Sequence, residues 1–313
     1  MAKVTLGEVA MEARETCKGD RNGFPTVGLE HITPGEIRLS DCDEGSDNTF
    51  TKRFHEGDIL FGRRRAYLKK AAIAPFEGIC SGDITVIRAL QDKMEPRLLP
   101  FIIQNDDFFD FAVGRSAGSL SPRVKWEHLK TYSFELPPID KQRELADVLW
   151  AIEDTRAAYQ ELAAATEELV KSRFIEMFGD PVTNPMGWEV KRLKDICAVG
   201  SSKRIYQREQ TSTGVPFLRI SDLVTRITSQ EETFDLYISE KKFNEFEQQA
   251  LVPKTGDILV TARGTLGLCY IIKPEDRFYF QDGMISWVHA SEADINSVYI
   301  SYLFDSQGIK RQI

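Results

Sequence analysis

The sequence predicts an α+β fold in which two similar mixed α/β domains are joined by one long helix of coiled-coil type. Three observations carry that expectation. Residues 137–180 form an uninterrupted helix-forming stretch bounded by Pro and Gly. The tetrapeptide GDIL occurs twice, at 57–60 and at 256–259. Other segments on either side of it are echoed in the same order in the second half. The expected limits are 1–136 for the first domain, 137–180 for the helix, and 181–313 for the second domain.

In the first half, FPTVGLEHI (24–32), GDILFGR (57–63) and DITVIRAL (83–90) read as short strands between Gly, Asp and Pro turns. VPFLRISDL (215–223), GDILVTAR (256–263) and GMISWVHA (283–290) read the same way in the second half. Leu6-Gly7-Glu8-Val9 resembles Leu193-Lys194-Asp195-Ile196, 187 positions on. Pro25 to Leu29 resembles Pro216 to Ile220 at an offset of 191, and the two GDIL copies are 199 apart. Gly82 to Ala89 resembles Gly283 to Ala290 at an offset of 201. Slowly growing offsets are what small loop insertions produce, and four matches in order indicate a duplicated domain. Only 30 residues follow Gly283, whereas 54 separate Gly82 from Leu136, so the second copy is expected to be C-terminally incomplete.

Between the copies, Asp140 is placed to cap a first helical turn, and Gly179 and Pro181 supply stop chemistry. The intervening Ala, Leu, Glu and Lys are good helix formers. Leu145, Leu149, Ile152, Tyr159, Leu162, Thr166 and Leu169 recur at spacings of three, four and seven, a helix–helix interface pattern. A helix of about 38 residues spans roughly 57 Å at about 1.5 Å per residue.

Charge and composition limit the function classes. The net charge of −8 argues against a uniformly basic nucleic-acid binder. Residues 136–180 contain 5 Lys/Arg against 10 Asp/Glu, however, so much of the acidity sits in the helix and the flanking domains can still present basic faces. No apolar run approaches a membrane span, and MAKVTLGEVA does not read as a secretory signal. The five cysteines are scattered, so no disulfide framework or zinc site is expected, and the cytoplasm is the expected location. His31, His55, His128 and His289 lack ligand-like spacing, and no GxxxxGK[ST] loop is present, so no metal site and no catalytic residue is expected. NPMG at 184–187 lacks the second proline and aromatic of an amino-methyltransferase NPP[YF] motif and reads as a linker turn.

The layout resembles a specificity subunit of a type I restriction–modification system, with its second half expected to be truncated. The resemblance rests on WEHLKTYSFELPPIDKQRELADVL (126–149), on RFIEMFGDPVTNPMGWEVKRLKDI (173–196), and on GDIL in both halves, in that order and spacing. It implies two target-recognition domains, each reading half of a bipartite DNA target without chemistry of its own. It also implies helices that set the half-site spacing and dock methyltransferase subunits, with restriction subunits joining the assembly. S-adenosylmethionine would be held by the methyltransferase, leaving this chain without a cofactor.

The arginine run Arg63, Arg64 and Arg65, with Tyr67, Lys69 and Lys70, is the first DNA-contact candidate, because Arg can contact guanine edges and Lys can neutralise phosphates. Strand alternation would send Arg63 and Arg65 to one face and Arg64 to the other. The competing reading is an edge strand protected by charge. Arg64 aligns with Arg263 of the second copy. GRSAGSLSPR (114–123) adds Arg115, Ser116 and Arg123, in a loop whose Gly and Ser permit close approach to phosphates; a plain surface loop is the alternative. SSKRIYQR (201–208) adds Lys203 and Arg204, with a solvated loop as the alternative. The helix stripe is expected to pair antiparallel with the same helix of a second chain. Two other readings stand beside the DNA-recognition subunit. One is the recognition part of a related enzyme whose catalytic domain lies elsewhere. The other is a coiled-coil adaptor that does not bind DNA.

Overall fold

The computed structural model describes residues 2–19, 23–44, 49–229, 234–293 and 295–311. The chain divides into two compact units, Met1–Gln160 and Glu161–Ile313, with the division falling inside the helix Ile139–Phe178.

In the first unit, one antiparallel sheet runs in the order Ala10–Glu12, Ile84–Ala89, Ile59–Gly62, Ala71–Ile73. A second sheet runs Asp43–Glu44, Pro25–Val27, Gly78–Cys80, Lys52–Phe54, with its middle pair parallel. Strand alternation splits the ILF of GDILF between two cores. Ile59 and Phe61 join Leu6, Phe108 and Phe109, while Leu60 joins Val27, Phe54 and Val86. A strand buried on both faces cannot tolerate a one-residue slip, which fixes its register.

The second unit repeats this plan. Its first sheet runs Val199–Gly200, Ile285–Val288, Ile258–Thr261, Cys269–Ile271. Ile258 and Val260 again face one core and Leu259 another. Val215–Leu218 pairs in parallel with Tyr279–Phe280, as Pro25–Val27 does with Gly78–Cys80. Leu6–Val9 and Leu193–Ile196 are both one-turn helices.

The GD pair has the same job in each copy. Gly57 and Gly256 have φ of +85° and +91°, a conformation that favours glycine. Gly57 N donates to Ala74 O and Gly256 N to Ile272 O, both at 2.9 Å. The buried Asp58 carboxylate accepts from Arg88 Nε and Nη2, each at 2.7 Å, and from His55 N at 2.8 Å. Asp257, equally buried, is held by neutral donors instead: Lys254 N and Trp287 Nε1, both at 2.9 Å, and the Ser291 hydroxyl at 2.7 Å.

Three expectations about the strands are corrected. The strand expected over 24–32 ends at Val27, and Leu29–His31 is a short helical turn. The strand expected over 215–223 ends at Leu218, and Ile220–Thr228 is a helix. Asp222 at its third position accepts from Arg219 N at 2.9 Å, a capping box that turns the chain out of the sheet. The strand beginning with GDIL ends at Gly62, so Arg63, Arg64 and Arg65 do not alternate along it. Arg65 instead takes a left-handed conformation, φ 53°, and opens the short turn Ala66–Leu68.

The helix Ile139–Phe178 starts after Pro138 and stops at Gly179, whose φ is +77°. Within the first unit, Gln142, Ala146, Leu149, Glu153 and Arg156 face inward at helical spacing. Gln142 Oε1 accepts from Glu95 N at 2.9 Å, and Trp150 Nε1 donates to Arg97 O at 2.9 Å. Within the second unit, Phe174 packs tilted against Tyr299 and Phe178 packs edge-on against it, with ring centroids 5.4 and 5.0 Å apart. No helix of the described residues is long and apolar enough to cross a membrane.

Candidate nucleic-acid interface

In the first unit the structure brings together two stretches nominated separately from the sequence. Gly62 N donates to Lys70 O at 2.8 Å and closes the loop that holds the arginines. Arg64 forms an isolated antiparallel bridge with Arg123, and Arg123 forms another with Ala117. Arg65 N donates to Pro122 O at 2.8 Å, and Val124 N to Arg63 O at 2.9 Å. Arg64 Nε donates to Ser121 Oγ at 3.1 Å. Residues 63–69 and 114–123 are therefore one surface.

Asp83 organises its charge. Arg123 Nε and Nη2 reach the two Asp83 oxygens at 2.7 and 3.1 Å, and Arg64 Nη1 lies 3.7 Å from the same carboxylate. The Arg123 hydrogen bond holds the Asp83 carboxyl below the usual carboxylate range. Lys69 pairs with Asp106 at 2.5 Å, and Lys70 Nζ donates to Leu29 O at 2.6 Å. Arg65 makes no ion pair among the described residues and is exposed, as is Tyr67. The Arg115 guanidinium lies over the Phe111 ring at 5.3 Å, and Ser116 Oγ donates to Ala112 O at 2.9 Å. Arg63 is half-buried, and its Nε has no hydrogen-bond partner. Near it Lys52 Nζ donates to Ile84 O at 2.6 Å, and burial lowers the Lys52 pKa.

The second unit carries the same backbone device with fewer charges. Arg263 occupies the place of Arg64, and Gly264 with φ 71° takes the place of Arg65 with φ 53°. An exposed apolar side chain follows in both loops, Tyr67 in one and Leu266 in the other. Thr261 ties the loop from inside: its hydroxyl donates to Thr265 O at 2.5 Å and accepts from Leu268 N at 3.0 Å. Arg263 makes no ion pair among the described residues. It lines a cavity of 460 Å³ with Arg204, Arg219, Gln210, Gln281 and Asp282. Arg204 Nε donates to Asp282 Oδ2 at 2.9 Å. Lys203 N donates to Tyr279 Oη at 2.8 Å, and its ammonium lies 5.7 Å from the Phe246 ring.

Sequence reasoning missed Asp83, Lys52 and Arg219. For Arg219 a signal existed, the Asp three positions on. For Asp83 there was none, since its partner Arg123 is 40 residues away.

The exposed face of the long helix needs one correction. In the first unit's portion, Leu145, Val148, Ile152, Thr155 and Tyr159 are exposed at alternating spacings of three and four. Leu149, expected on this stripe, packs partly on the unit's own core. At about 100° per residue, Val148 and Leu149 lie equally far to either side of the line through Leu145 and Ile152, and it is packing that turns Leu149 to the core and leaves Val148 exposed. In the second unit's portion, Leu162, Thr166 and Leu169 are exposed. Ala151, Ala158 and Ala165 line the edge of this stripe at intervals of seven.

Residues 3–165 and 185–312 match the family model described as the type I restriction modification DNA specificity domain. A putative type I restriction enzyme specificity subunit of Haemophilus influenzae is 28% identical over 220 residues, covering 68% of this chain and 54% of that protein. The type I restriction enzyme MjaIX specificity subunit of Methanocaldococcus jannaschii is 26% identical over 261 residues, covering 74% of this chain and 60% of that protein. The chain thus spans little more than half the length of these relatives. The crystal structure of a type I restriction–modification S subunit from M. genitalium shares the fold, with a TM-score of 0.55 and 11% identity over 99% of this chain and 78% of that one.

Proposed function

The chain belongs to the family of type I restriction modification DNA specificity domains, and from that premise we propose that it is the DNA-recognition subunit of a type I restriction–modification complex. Each unit reads one half of a bipartite duplex target, and the chain performs no chemistry itself. The observation that carries this reading is the recurrence of one loop device. A strand buried on both faces ends in a turn that presents an arginine with no carboxylate partner among the described residues, one position apart in the two copies: Arg65 in the first unit and Arg263, the counterpart of Arg64, in the second. The backbone is kept and the side chains vary, as two readers of different bases require. Guanidinium groups in such loops suit guanine edges and phosphates. Around Arg65, the other contacts are assigned to Arg63, Arg64, Tyr67, Lys69, Arg115, Ser116 and Arg123; in the second unit they fall to Lys203 and Arg204.

The family resemblance supplies the partners: methyltransferase subunits, which carry S-adenosylmethionine, and restriction subunits, all in the cytoplasm. The helix stripe is assigned to an antiparallel pairing with a second copy of the chain. A two-fold centred near residue 157 sets Leu145 opposite Leu169, Val148 opposite Thr166, and Ile152 opposite Leu162. Small residues at every seventh position allow the two helices to approach closely.

Titration of labelled duplex DNA at several salt concentrations tests the DNA reading. Log affinity should fall linearly with log salt, with a slope of about −0.9 per phosphate neutralised. No binding at low salt, alone or with a methyltransferase partner, contradicts it.

A further inference from the structure

We propose that Leu120 is a wedge that enters the base stack of the bound duplex and bends it. The inference rests on the DNA-recognition reading and adds a residue and a mode of reading to it. Leu120 is 90% exposed, so it contributes almost nothing to the fold. An isolated exposed leucine is ordinary on a protein surface. This one stands at the middle of a loop whose two shoulders are fixed. Ala117 N donates to Arg123 O at 3.0 Å and Arg123 N to Ala117 O at 2.9 Å, which closes the excursion 118–122 at its base. The bonds from Arg65 N to Pro122 O and from Arg64 Nε to Ser121 Oγ then dock its descending arm on the arginine loop.

The neighbours of Leu120 are small. Gly118 (φ +117°), Ser119 and Ser121 leave the leucine projecting alone, with no bulk to stop its entry. Arg115 and Arg123 stand at the two ends of the loop, and Arg64 and Arg65 are bonded to it. An apolar side chain on a rigid stalk between guanidinium groups has the chemistry of a wedge, in which phosphate contacts hold the backbone while the leucine unstacks one step. Pyrimidine–purine steps open most readily, so the wedge would favour such a step at a position with no hydrogen-bond readout.

The test uses the full chain. It first enriches a random-sequence duplex pool. The enriched duplex, carrying 2-aminopurine at successive positions and a dye at each end, is then titrated with wild type, Leu120→Ser and Leu120→Phe. Wild type and Leu120→Phe should raise 2-aminopurine fluorescence at one step and shorten the end-to-end distance. Leu120→Ser should lose both signals and bind about tenfold to a hundredfold more weakly, with an unchanged melting temperature. Fluorescence and bending retained in Leu120→Ser overturn the wedge and leave DNA recognition standing. Failure of the wild type to enrich any duplex overturns the DNA reading, and the wedge with it.

Discussion

Arg64 and Arg123 face each other across one antiparallel bridge and share the carboxylate of Asp83. Like charges held this close repel, and Asp83 offsets that repulsion while fixing the loop 114–123 against the arginine loop. The pairing makes acid a probe of the surface. Asp83 is held below the usual carboxylate range, chiefly by Arg123. Its contribution to stability is therefore complete above the ordinary aspartate pKa and is lost as pH falls through the lowered one. Denaturation of wild type and Asp83→Asn across pH should show a constant difference at neutral pH that disappears in acid. A difference that persists in strong acid would count against the carboxylate's role.

Asp58 is buried and accepts a bidentate pair from Arg88. Asp58→Ala takes the bidentate partner from Arg88, which keeps Glu15 at 2.8 Å, and leaves His55 N without its acceptor. Chemical denaturation should record a loss of about 1–3 kcal/mol, as for removing one partner of a buried hydrogen-bonded group. A loss below about 1 kcal/mol, the range of an exposed pair, would mean that the turn at Gly57 holds itself.

How much of this was legible depends on distance along the chain. GDIL and its neighbours could be matched because each segment is local and occurs twice. The helix could be read because its periodicity and its stop chemistry lie in one continuous stretch. The assignment of Leu149 to the stripe failed because Leu149 and Val148 are both apolar and adjacent. Only packing decides which of them turns to the core. The course of Arg63 to Arg65 was hidden for a related reason. Nothing local marks Gly62 as the strand's last residue; its backbone bond to Lys70 and the docking of residues 122–124 end it there. Asp83 could not be assigned to the surface at all, because strand pairing brings its partner from 40 residues away.

The arginines differ in what they offer a polyanion. Replacing Arg63, Arg64 and Arg65 together with Ala should weaken duplex binding and flatten its salt dependence by about 0.9 in slope for each phosphate that is no longer neutralised. Arg65→Ala alone should flatten it more than Arg123→Ala, since Arg123 is already neutralised by Asp83. An unchanged salt slope in the triple variant would remove the loop from the DNA surface.

The helix stripe separates assembly from folding. Ile152→Glu with Leu162→Glu should convert the chain from dimer to monomer in sedimentation at micromolar concentration, with its melting temperature little changed. Leu149→Ala should lower stability and leave the mass alone. A wild-type chain that sediments as a monomer sinks the pairing between copies and assigns the stripe to another occupant.

The central claim is that this chain chooses DNA sequence for a methyltransferase. Expressing the chain with a methyltransferase partner and mapping methylated bases across genomic DNA tests it most directly. Methylation confined to one bipartite sequence, and moved or abolished by changes at Arg65 and Arg263, is the expected result. Methylation at the same sites without the chain would contradict the account.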